Sequence, residues 1–107
     1  MTVAPEIADR IAFSCVTDET RQVLSEFIPV LRSELPAILK DFYGHVRQFP
    51  HLAAMFGTDA NMDRAARAQE SHWLKLFSAR FDEDYVASVR TIGRTHSRIG
   101  LEPRWYI

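Results

Sequence analysis

Apolar residues recur along this chain at helical spacing, and alternation over five or more residues is absent. One stripe runs Tyr85, Val89, Ile92, His96 and Ile99, an i, i+4, i+7, i+11, i+14 pattern. It predicts an amphipathic helix from Glu83 to Ile99 with this face buried, Asp82 capping its start and Gly100 closing its end. Upstream, Thr17 or Asp18 opens a helix with Val23, Leu24, Phe27, Ile28 and Leu31 as its apolar positions. Pro29 lies inside that pattern and predicts a kink or break near Ile28. A second helix is expected to restart at Leu35-Pro36, with the proline in its first turn. Its stripe is Leu35, Ile38, Leu39, Phe42, Tyr43, Val46 and Phe49, and it stops at Pro50. A helical turn over 51–56, a loop over 57–60 and a long helix over 61–80 follow, broken at Phe81-Asp82. Glu102-Pro103 begins one further helical turn. With four glycines and no Asn-Gly or Asp-Gly hairpin signal, the fold class is all-α.

Composition narrows the partners. A chain of 107 residues, 47% hydrophobic and 25% charged, is one soluble-type domain. Its net charge of −1 is interspersed rather than gathered into a basic face, which argues against nucleic acid and anionic membrane surfaces. A single cysteine, Cys15, rules out an internal disulfide framework and reads as a packing residue in a reducing compartment. The segment Met1–Ile11 carries acidic residues and no long apolar run, so no secretory signal is expected. No apolar run is long enough to span a membrane, and the cytoplasm is the expected location.

Chemistry enters at His96, the one strongly polar member of its stripe. Burying an imidazole unpaired costs about 1–3 kcal/mol, so it needs a hydrogen-bond partner or a metal, and both readings stand. Tyr43 occupies the inward stripe of its helix, where the plain reading is a core tyrosine bonded to a backbone carbonyl. Asn61, Ala65, Ala68 and His72 share one face at spacings of 4, 3 and 4. Other motif classes fail: there is no Gly-rich phosphate loop, no supported Ser-His-Asp arrangement and no Cys/His zinc spacing, and no enzymatic activity is expected. His45 and His51 read as exposed or loop residues without a role.

Three blocks carry a resemblance. After Ile92-Gly93 come His96, two residues, Ile99-Gly100-Leu101, Pro103 and Trp105-Tyr106. Earlier stand Asp41-Phe42-Tyr43, then Phe49-Pro50-His51-Leu52 and Phe56, with Gln69, His72 and Trp73 between the two. Together, from about Thr17 to Ile107, these segments resemble globin-coupled sensors, the bacterial haem globins that head chemotaxis transducers and cyclic-di-GMP enzymes.

The resemblance implies a globin-like helical fold carrying the pre-A to F helices and the start of G, as one partial sensor globin domain over 1–107. The G and H helices, which close a pocket wall and form the dimer bundle, and any output domain would lie outside this sequence. Trp105-Tyr106-Ile107 is then an apolar cluster that needs covering. The implied cofactor is haem b, with His96 as the proximal iron ligand and Gly93 leaving room for the macrocycle edge. Tyr43 is the implied distal donor, and a neutral O–H favours partly anionic dioxygen over carbon monoxide. Ala65 and Ala68 would leave space above the iron, Phe56 would line the pocket, and Tyr106 would lie near the proximal imidazole. His72 keeps three readings: a surface or core residue, a partner for a propionate or pocket water, or a second axial ligand. The implied function is sensing of oxygen or another diatomic gas, relayed through a homodimer to a signalling domain in cis. The alternatives are a non-haem globin-like interaction domain and a gas-carrying or gas-detoxifying globin.

Overall fold

Helix boundaries follow the caps more closely than the apolar stripes. A computed structural model describes residues 3–106 and contains no strand among them. Six helices follow in order: α1 Pro5–Phe13, α2 Asp18–Glu26, α3 Ile28–Val46, α4 Pro50–Ala53, α5 Asp59–Ser78 and α6 Glu83–Ile99. A 3-10 turn, Pro103–Trp105, comes last. The all-α expectation holds.

Three of the starts are side-chain caps. Thr17 accepts from the Thr20 N–H and completes a reciprocal capping box, Thr58 accepts from Asn61, and Asp82 accepts from Tyr85. Each satisfies an amide that the first helical turn would leave without a partner. Gly100, at φ 74°, ends α6 where foreseen. The Leu101 N–H bonds the His96 carbonyl and the Gly100 N–H bonds that of Ser97, the paired closure of a Schellman end.

Several boundaries differ from expectation. The break falls at Phe27 and α3 starts at Ile28, seven residues before the expected restart at Leu35-Pro36. Pro29 therefore opens α3, where its missing N–H is not needed, and Pro36 lies in the helix interior. An interior proline ordinarily costs about 3 kcal/mol. Here Leu31, Leu35 and Leu39 are buried on both sides of it, and their packing holds the helix together. The segment before Thr17 is itself a helix, α1, started by Pro5. The long helix runs 59–78 rather than 61–80, because Thr58 caps it early and Ala79 turns left-handed at φ 56°. Cys15 is exposed, at φ 59°, and so is not a packing residue.

The link between α5 and α6 is stapled by helices earlier in the chain. The Arg21 guanidinium donates to the Ala79 carbonyl at 2.7 Å, and the Ser25 hydroxyl donates to that of Ser78 at 3.3 Å. A cation at a helix C-terminus also opposes the negative end of its dipole. Phe81, buried at φ 48°, presents its carbonyl to the Ala4 N–H at 2.7 Å and its ring edge to Tyr85.

The core is narrow. Leu31, Leu35 and Leu39 of α3 pack with Tyr43 and with Leu74 and Phe77 of α5. Much apolar surface stays outside it, including Val23, Val30, Ile38, Phe42 and Trp105. The Cα radius of gyration, 15.4 Å, exceeds the roughly 13 Å of a compact chain of this size. Leu35 is 4% exposed and Ile38 is 56% exposed. Leu35→Ala should therefore lower unfolding free energy by about 2–4 kcal/mol, and Ile38→Ala by less than about 0.5 kcal/mol. Urea titration followed by circular dichroism measures both, and equal losses would place the core elsewhere.

Candidate functional site

The α3 stripe delivers Tyr43. Leu31, Leu35, Leu39 and Tyr43 follow at intervals of four, so the phenol extends the buried leucine row toward α5. Its hydroxyl donates to Gln69 Oε1 at 2.8 Å, a side chain rather than the backbone carbonyl of the plain reading. Phe42 and Phe56 meet the ring edge-on, with centroids 5.1 and 5.7 Å away. Phe56 is half-buried, and its carbonyl accepts from Asn61 Nδ2 at 2.7 Å. Burial raises the Tyr43 pKa above that of an ordinary phenol, so the group stays protonated and able to donate at neutral pH.

On α5, Ala65 is half-buried and Ala68 exposed, and His72 continues their face. The His72 ring lies 3.0 Å, Nδ1 to Oγ, from Ser88 of α6 and stacks on Tyr85 at 5.8 Å and 20°. Lys75 and Asp84 add an ion pair at 3.5 Å beside it. Burial, and next the Lys75 charge, hold the His72 pKa below the ordinary histidine value. These contacts all fall on the first third of α6.

Beyond them α6 is left open. Val89 is 44% exposed, which corrects the fully buried stripe expected for this helix; only Val86 is buried on it. Ile92, His96 and Ile99 are half-buried. A Cβ built on Gly93 would meet nothing within 4 Å. Counting outward from the His72–Ser88 contact, the next turns of α5 carry Ala68 and Ala65 on the His72 face. Those of α6 carry Ile92 and His96.

The imidazole of His96 has no hydrogen-bond partner among the described residues, and its ring lies 4.3 Å from that of Tyr106. Trp105, next to it, packs on His51 at 5.1 Å and Phe49 at 6.4 Å. The cluster at the chain's end is thus tied to the α3–α4 corner, while Ile107 lies outside the described residues.

Of the expected site residues, Tyr43 and Phe56 meet, with Gln69 bonded to Tyr43 across α3 and α5, and His96 and Tyr106 meet at the end of α6. No hydrogen bond, ion pair or aromatic contact among the described residues joins His96 to Tyr43, Phe56 or His72. A cavity of about 190 Å³ between α3 and α5 is lined by Tyr43, Leu39, Met62 and Ala66 among others. A more open groove of about 510 Å³ runs along α5 from Arg67 to Arg80, and His96 lines neither.

A flat, largely apolar cofactor held by one axial nitrogen fits the residues of α6. The helix offers an unpartnered imidazole, a half-open apolar face and a glycine one turn before the imidazole. Among the described residues no cluster of three or more His, Cys, Asp or Glu could hold a bare metal ion. Nor is any helix there long and apolar enough to cross a membrane. Sequence reasoning missed Gln69 as the acceptor for Tyr43 and Ser88 as the partner of His72. Gln69 was legible only as part of the resemblance and Ser88 not at all, because each contact joins helices that only the tertiary fold brings together.

His72 generates a prediction. Its folded-state pKa is lowered, so the unfolded chain takes up the proton first. Stability is full above pH about 6.5 and falls as pH drops through the window just below it. Urea midpoints compared at about pH 7.5 and 5.5 should show this loss, and His72→Gln should reduce it. An unchanged pH dependence in the variant would assign the loss to other groups.

A family model described as Protoglobin matches residues 3–107. The chain is 27% identical over 103 residues to the heme-based aerotactic transducer HemAT of Halobacterium salinarum. That alignment covers 95% of this chain and 21% of the relative, so the chain spans about a fifth of the transducer's length. No solved structure matches the chain.

Proposed function

The chain belongs to the protoglobin family, and on that premise we propose that it is a haem-binding gas-sensor domain. The observation that carries this reading is His96, an imidazole without a hydrogen-bond partner among the described residues, on a half-open apolar helix face. Haem b would be held by His96 and, when bound, would supply an iron able to bind a diatomic gas. The chain's own residues do the rest. His96 offers its ring nitrogen from the last turn of α6, whose Schellman closure at Gly100 holds that turn. Tyr106, against the imidazole, orients its ring, and Val89 and Ile92 supply apolar wall. Tyr43, neutral and held edge-on by Phe42 and Phe56, is the donor to the gas ligand. Ala65 and Ala68 keep the α5 face small, and His72 stays a hinge contact with α6 rather than a ligand.

The name of the Halobacterium relative adds aerotaxis to this reading. Oxygen is then the ligand, and relay runs through a homodimer to a signalling domain in the same polypeptide, in the cytoplasm. One observation favours a second reading, a globin-like interaction domain without haem. The Tyr43–Gln69 and His72–Ser88 contacts already satisfy both polar side chains inside the protein. Haem content separates the two.

Two variants test the proposal in haem-reconstituted protein. His96→Ala should abolish stoichiometric haem uptake while leaving the far-ultraviolet helical signal intact; a normal five-coordinate ferrous spectrum in this variant would transfer the role to another histidine. Tyr43→Phe removes one hydrogen bond to a partly anionic acceptor, worth about 1.5–3 kcal/mol, so oxygen dissociation should accelerate roughly 10- to 100-fold. Carbon monoxide dissociation should change much less. Stopped-flow traces for both gases decide it, and equal changes would mean that Tyr43 acts by packing alone.

A further inference from the structure

The Tyr43 hydroxyl has one proton and, in this structure, one acceptor. That acceptor is Gln69 Oε1, at 2.8 Å across the α3–α5 interface. A phenol donates a single hydrogen bond, so it cannot serve Gln69 and a gas ligand together. The ring has little freedom to avoid the choice, because Phe42 and Phe56 bracket it edge-on and Leu39 lies one turn before it. Gln69 lies one turn beyond Ala65 and next to Ala68. The hydroxyl therefore reaches α5 beside the small residues that leave space for a ligand.

Gln69 differs from Tyr43 in being free to change. It is half-buried, and among the described residues its amide nitrogen has no partner. Rotating the amide by half a turn replaces an acceptor with a donor at the same position. With oxygen toward Tyr43, the phenolic proton is held. With nitrogen toward Tyr43, the amide donates to the phenolic oxygen, and the O–H, still protonated, is freed for another acceptor and polarised into a stronger donor.

We propose that Gln69 is a positioning residue for Tyr43, a competing acceptor that a gas ligand must displace before it gains the phenolic proton. This rests on the haem-sensor reading above and adds to it a regulator of ligand retention. Tyr43 discriminates between ligands, and Gln69 sets how readily it is available to do so. The exchange is one hydrogen bond for another, so the expected effects follow the net worth of a single neutral bond, a factor of roughly 3 to 10.

The test uses the full chain with two variants and two readouts. Gln69→Leu keeps the side chain's size and removes the acceptor; oxygen dissociation should slow by roughly 3- to 10-fold, with carbon monoxide little changed. Gln69→Glu, a stronger and permanent acceptor, should speed oxygen dissociation. Both effects should vanish in a Tyr43→Phe background. The second readout needs no haem: ultraviolet resonance Raman of the haem-free chain, with Tyr43→Phe subtracted to isolate this ring. Wild type should show a phenol donating to an amide oxygen, and Gln69→Leu should shift it to that of a water-bonded phenol. Faster oxygen loss in Gln69→Leu would overturn the proposal by making Gln69 itself a ligand donor. So would effects that persist without Tyr43, or an unchanged Raman signal. A chain that binds no haem overturns the sensor reading and the ligand exchange with it, and a Tyr43→Phe variant with unchanged oxygen dissociation overturns the donor role of Tyr43 and the ligand exchange. In that case the Raman shift alone decides whether Gln69 holds the phenol.

Discussion

The packing of α3 on α5 is the constraint on which the rest of the structure depends. The leucine row Leu31, Leu35 and Leu39 meets Leu74 and Phe77, and this contact is the core cluster of the molecule. It carries α3 straight through Pro36, which propensity alone would use to end the helix. It also fixes where Tyr43 arrives, since the phenol is the next member of the same row. A polar group placed by an apolar seam is rigid in position, and its hydrogen bond to Gln69 then depends on what α5 offers.

From α5 the chain reaches α6 through four residues, and their geometry comes from outside the link. Ala79 and Phe81 both adopt positive φ without being glycine, a conformation that costs roughly 1–2 kcal/mol per residue. Arg21 and Ser25 satisfy carbonyls at the end of α5, and the Ala4 amide bonds Phe81. Helix α2 and the N-cap of α1 thus hold one turn in a strained shape. The polar and aromatic contacts of α6 with α5 among the described residues lie near its start, at Ser88, Tyr85 and Asp84, and the turns before His96 are half-open.

That openness is matched elsewhere. Ile38 and Phe42 are exposed on the outer side of the helix whose inner side forms the core, and Val23 and Val30 extend the same kind of surface. The molecule is accordingly less condensed than its size requires. Apolar side chains in water contribute nothing to folding until something covers them, so stability here depends on a small set of leucines and on polar contacts between helices.

Local sequence alone determined the helices and their ends. Asp82, Gly100 and the spacing of Tyr85 to Ile99 define α6 from start to finish, because caps and glycine conformations act within a few residues. His96 and Tyr43 were also legible as polar groups on apolar stripes, since periodicity exposes such a mismatch wherever it occurs. The stripe did not reveal that α6 would be half-open, because periodicity marks which side faces inward and not whether anything meets it there. Pro36 misled for a related reason: backbone preference was overruled by leucines that pack on another helix. Gln69 and Ser88, the hydrogen-bond partners of Tyr43 and His72, are polar residues within helices. Only the tertiary structure could select them, because a hydrogen bond between residues 26 or 16 positions apart is set by how helices dock, and docking is decided by the summed burial of the whole core.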